Sequence, residues 1–134
     1  MKLTIAASMM MLAAAASACG TGDQSAGYEN TDVHHAYQHW QQGEHAAIPF
    51  LMLDVRTPEE FAEGHIAGAR LIPVQELEKR LAEVPKNRQV YVYCRSGVRS
   101  ARASEMLFRA GFTHIENITG GIQAWQAAGY PVVR

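Results

Sequence analysis

The sequence predicts an α/β fold built on a mostly parallel sheet. Strand-like apolar runs alternate with helical periodicities, and the stretches between successive strands are long enough to demand crossover connections. The runs at 48–55 and 90–94 also lack the in–out alternation of a half-exposed strand, which fits strands covered on both faces. The chain has 134 residues and a net charge of −1. That length suits one domain, and the charge gives no reason to expect a nucleic-acid partner.

The first eighteen residues stand outside this fold. Lys2 is a short charged region, Leu3 to Ala15 is an apolar run, and Ala16-Ser17-Ala18 has the small residues of a signal-peptidase site. The run falls short of the ~20 apolar residues of a membrane span. Ala16-Ser17-Ala18-Cys19 resembles the lipobox of bacterial lipoproteins, in which the cysteine is acylated. Export to the periplasmic side, with a lipid anchor at Cys19, is the expectation. Plain cleavage before an unmodified Cys19 is the alternative. Gly20 to Gly27 is small, polar and Gly-rich, as a flexible tether is. The expected organisation is signal peptide 1–18, tether 19–28 and folded domain 29–134.

Within the domain, Val33, Ala36, Tyr37 and Trp40 place a first helix over 31–42, capped by Asn30 or Thr31 and stopped by Gly43. His34, His35, His39 and His45 lie here without a carboxylate or Cys at ligand spacing. They read as solvated helix-face residues, and no metal is expected. Ile48 to Val55 is a strand with Asp54 near its end. Thr57-Pro58-Glu59-Glu60 opens a short helix with an N-cap, an N1 proline and an acid at the third position. Gly64 stops it. Ala69 to Ile72 is a brief strand, and Val74, Leu77 and Leu81 mark the inner face of the next helix, with Glu76 and Arg80 paired outside.

Val90 to Tyr93 is the central strand, and a helix follows from Arg99 to Ala110, with Gly111 ending it. Thr113 to Ile118 is a further strand. Thr119-Gly120-Gly121 begins a last helix, with Ile122 and Trp125 inside. In such sheets ligands bind beyond the carboxyl ends of the strands, where Asp54, Cys94 and Thr119 all fall. Cys94 sits where a strand hands over to a helix N-terminus, a place of unpaired N–H groups and positive dipole. Arg95, Arg99 and Arg102 add charge, with no acid between Cys94 and Ser104. Such surroundings bring a thiol from about 8.5 into roughly the 3.5–7.5 range. With Cys19 acylated, Cys94 is the one free thiol, and it reads as a nucleophile that accepts a group and passes it on.

Four segments together resemble the rhodanese family of sulfurtransferases in its single-domain form. They are Leu53 to Phe61, Gly64 to Ala69, Tyr93 to Ser100, and Gly120 to Trp125, in the family's order. The resemblance implies a three-layer rhodanese-like fold of about five mostly parallel strands with helices on both faces. It also implies a Cys94 persulfide, filled from a small anionic donor such as thiosulfate and emptied to a thiol or cyanide. No cofactor and a monomer are expected. The amides of Arg95, Ser96, Gly97, Val98, Arg99 and Ser100 would cradle the outer sulfur, with Gly97 letting the loop curl. Arg95 would face the entrance and Arg99 support the loop. Asp54 and Arg56 would fix the start of the following helix through Glu59 or Glu60, and His65 is a candidate for the site wall. Four residues separate Cys94 from Arg99. Phosphatases related to this fold use one more, which widens the cradle for phosphate. A persulfide carrier or partner-binding module without turnover is the alternative to an enzyme.

Overall fold

The computed structural model describes residues 27–134. The expected signal segment, Cys19 and most of the tether lie outside the described residues. The order is β1 (Glu29–Thr31), α1 (Val33–Gln42), β2 (Phe50–Asp54), α2 (Pro58–Glu63), β3 (Arg70–Leu71), α3 (Val74–Leu77), β4 (Gln89–Tyr93), α4 (Val98–Arg109), β5 (Ile115–Ile118) and α5 (Gly121–Ala127). The five strands form one sheet in the order β1-β5-β4-β2-β3, every pairing parallel. All strand carboxyl ends therefore lie along one edge.

Side-chain alternation on the central strands divides the core in two. Leu53, Val90, Val92 and Cys94 point to an aliphatic side closed by α3 and α4, with Val74, Leu77, Ala103 and Leu107. Met52, Tyr91 and Tyr93 point to an aromatic side closed by α1 and α5, where Trp125 is fully buried. The apolar runs that do not alternate in hydrophobicity thus feed two cores at once.

Three local expectations differ from the structure. Residues 29–31 form β1 rather than the start of a helix, and Asp32 is the N-cap of α1, accepting from the His35 N–H at 2.8 Å. β1 is polar and mostly exposed, and it joins β5 through its backbone, so no hydrophobic pattern marks it. The helix expected through Leu81 ends at Leu77 and tightens into 3₁₀ turns over Glu78–Glu83, with a break at Arg80. There Arg80 pairs at 2.6 Å with Glu83 and only at 3.6 Å with Glu76. At the end of α4, Gly111 takes φ 97°, and the Phe112 and Gly111 amides donate to the Leu107 and Phe108 carbonyls, the Schellman arrangement a C′ glycine permits.

Candidate active site

β4 delivers Cys94 to the carboxyl edge, and the chain turns through Arg95, Ser96 and Gly97 into α4. Cys94 is 1% exposed and packs with Val92, Ala103 and Leu107. It lies deeper than a thiol on a loop suggests, because the strand's alternation carries its Cβ toward α4. Its Sγ nonetheless meets polar groups. The Gly97 N–H donates to it at 3.1 Å, and the Ser100 Oγ lies 3.4 Å away. Burial pushes the thiol's pKa up. Hydrogen bonds from the Ser100 hydroxyl and the Ser100, Gly97 and Ser96 amides outweigh that, and the net shift is downward.

The amides are free to do this because α4 starts without a cap of its own. Gly97, at φ 107°, occupies the N-cap position, no side chain caps the helix, and its first turn holds no acid. α5 braces the loop from the other side. Its Ile122 N–H donates to the Cys94 carbonyl at 2.9 Å and its Gln123 N–H to the Arg95 carbonyl at 3.1 Å. The approach is so close that a Cβ on Gly121 would fall 2.4 Å from the Cys94 carbonyl oxygen. The sequence marks the Gly120-Gly121 pair as a helix start but gives no hint of what the second glycine approaches.

The charged residues sort differently from the expectation. Arg56 does not reach Glu59 or Glu60. It is buried with Asp54, donating from Nη2 to Oδ2 at 2.7 Å and from Nε to Oδ1 at 3.0 Å, and its Nη2 also donates to the Gly64 carbonyl at 2.7 Å. Glu60 instead takes Arg99 in a bidentate pair at 2.7 and 2.9 Å. That partner, with the Thr57 N–H working against burial, holds the Glu60 carboxyl down at about 2. His65 stacks on Phe61 at 3.6 Å between ring centres, and its backbone pairs with Val133. Gly64, not His65, forms part of the wall. Ser96 and Val98 are exposed on the outer side of the loop, Val98 at 70%.

A cleft of about 470 Å³ opens beside the loop, with Arg56, Glu60 and Glu63 on one wall, Gln123 and Gln126 of α5 on the other, and Arg95 reaching in from the loop. The histidines of α1 have structural partners. His39 bridges the Tyr91 hydroxyl and the Ile48 carbonyl, each at 2.7 Å, and His34 meets the Tyr130 hydroxyl at 2.5 Å. Among the described residues no three His, Cys, Asp or Glu are placed to hold a metal ion.

The arrangement suits a sulfur nucleophile whose negative charge is held by amides. Known proteins agree with it. The chain is 43% identical over 83 residues to a sulfurtransferase of Allochromatium vinosum, covering 62% of this chain and 78% of that protein. It is 46% identical over 70 residues to the thiosulfate sulfurtransferase PspE of Escherichia coli, covering 51% of this chain and 67% of that one. A crystal structure of a rhodanese-related protein from Thermoplasma volcanium superposes with a TM-score of 0.70 at 34% identity, covering 79% of this chain and 98% of that one. These relatives support sulfur transfer as the general chemistry. The model of the rhodanese-like domain matches residues 32–128, and the chain belongs to that family.

Proposed function

We propose that this chain is a sulfurtransferase that takes sulfane sulfur from a donor such as thiosulfate and hands it to a thiol or cyanide through a persulfide on Cys94. The observation that carries the reading is the convergence on one sulfur atom of the Gly97 amide and the Ser100 hydroxyl, at a helix start with no cap. The Cys94 thiolate attacks the outer sulfur of the donor. A new S–S bond forms, the old one breaks, and sulfite leaves with the electron pair. The persulfide's terminal sulfur is anionic, and the amides of the 95–100 loop stabilise it as they would any anion in such a nest. Arg95, exposed at the mouth, draws in the anionic donor.

Incubating the mature domain with thiosulfate and weighing it tests the reading. A gain of one sulfur atom, absent in Cys94→Ser, together with catalytic release of thiocyanate from cyanide, is the expected result. Phosphate release from an aryl phosphate without sulfur gain would overturn it. The depth of Cys94, 1% exposed, favours a second reading, a carrier that holds its persulfide for a partner. Stable loading without turnover is its signature.

We also propose that residues 1–18 direct export and that the domain is a monomer held at the periplasmic side by acylated Cys19. The run Ala16-Ser17-Ala18-Cys19 supports this. Mass spectrometry of the N-terminal peptide from expressing cells distinguishes a lipid-modified Cys19 from a free one.

A further inference from the structure

The cleft beside the Cys94 loop has a charge pattern that the sulfur chemistry alone does not explain. Its volume of about 470 Å³ lies in the range of sites for small organic molecules, roughly 300–1,000 Å³, and far exceeds what thiosulfate or cyanide requires. Two of its charges are already neutralised, Arg56 by Asp54 and Glu60 by Arg99. Two are not. Arg95 and Glu63 are both exposed and have no ionic partner among the described residues. Glu63 is the last residue of α2, at the negative end of the helix, where a carboxylate is locally unfavourable. Across from them stand Gln123 and Gln126, three apart on one face of α5, offering amide donors and acceptors.

We propose that this cleft selects the sulfur acceptor, and that the acceptor is an amino-acid or short-peptide thiol carrying both an ammonium and a carboxylate. This rests on the reading of Cys94 as a persulfide carrier. Glu63 takes the ammonium, Arg95 the carboxylate, and the glutamines the polar groups between. The acceptor thiolate attacks the terminal sulfur of the Cys94 persulfide. The new S–S bond forms as the old one breaks, the electron pair returns to Sγ, and a small-molecule persulfide leaves. No oxidant or reductant enters.

Four thiols separate the charges: L-cysteine has both, cysteamine only the ammonium, 3-mercaptopropionate only the carboxylate, and 2-mercaptoethanol neither. Each discharges the sulfur-loaded domain, with rates expressed per thiolate. The wild type should prefer L-cysteine. Glu63→Lys should lower the rate for cysteamine relative to 2-mercaptoethanol by about three- to fivefold, the size of an exposed ion pair, and raise that for 3-mercaptopropionate. Unchanged ratios would overturn the proposal. A second measurement needs no chemistry: S-methyl-L-cysteine titrated into the domain should shift the backbone amide signals of Glu63 and Arg95, and Glu63→Lys should abolish the shifts. Shifts without sulfur uptake would sink the persulfide reading and leave the cleft assignment standing. Sulfur uptake with no shifts would do the reverse.

Discussion

Two strand-to-helix junctions stand side by side on the carboxyl edge and treat their helix starts in opposite ways. At the β2–α2 junction Thr57 caps the helix, its Oγ1 accepting from the Glu60 N–H at 3.2 Å while the Glu60 carboxylate reaches back to the Thr57 N–H. Pro58 and two glutamates complete the first turn. At the β4–α4 junction Gly97 caps nothing and no acid appears in the first turn. The orphan amides turn to Cys94 instead. Helix starts need acceptors. One junction supplies them from its own side chains, which makes it a structural corner. The other leaves the place to a sulfur atom, which makes it a site. β5–α5 is a third case, where the leading amides hold the carbonyls of the Cys94 loop.

The comparison breaks most severely at Gly121. Its φ of 56° and the 2.4 Å approach to the Cys94 carbonyl leave no room for a methyl group. Gly121→Ala should cost about 3 kcal/mol or more, since backbone on both sides must move. Urea unfolding measures it, and a loss under 1 kcal/mol would mean that α5 does not brace the loop as described.

Ser100→Ala addresses the thiol itself. Removing a hydroxyl that bonds a charged group costs the thiolate about 1.5 kcal/mol, near one pKa unit. The thiol is drawn down in the folded protein, so the midpoint of its pH-dependent alkylation should rise by about one unit in the variant. An unmoved midpoint would place the stabilisation wholly in the backbone amides.

Glu60→Gln removes the ion pair that ties the two junctions together. The pair is about a quarter to a third exposed, so about 1.5 kcal/mol is expected after allowance for solvent screening. The folded carboxyl sits at about 2, below its ordinary value of 4.5. Its stabilisation is therefore complete above pH 4.5 and is lost as the pH falls through about 2. The wild-type and variant stability curves should differ at pH 6 and converge toward pH 2. A constant gap would assign the effect to packing.

The sequence made these junctions legible to different depths. Thr57-Pro58-Glu59-Glu60 announces its helix because cap, proline and acid lie within four residues. The strand 90–93 and the thiol after it are likewise local signals. β1 was illegible because three polar residues pair only by backbone. The partner of Glu60 was missed because Arg99 is 39 residues away, and the reason for Gly121 lies in the carbonyl of a distant residue. The depth of Cys94 followed from the alternation of β4, a signal present in the sequence but outweighed by the loop that follows it.

The smallest effect sharpens the contrast most. Thr57→Ala deletes the cap of α2, worth about 1 kcal/mol, while leaving Glu60 able to hold Arg99. If the two junctions are independent, urea midpoints should fall and the alkylation midpoint of Cys94 should stay where it is. The Arg99 guanidinium feels both Glu60 and Cys94, so a route between them exists. A shift in the thiol midpoint of Thr57→Ala would show that the capping box sets the position of Glu60, that Glu60 sets Arg99, and that the corner tunes the site. No shift would show that the bidentate pair holds Arg99 in place without help from the cap.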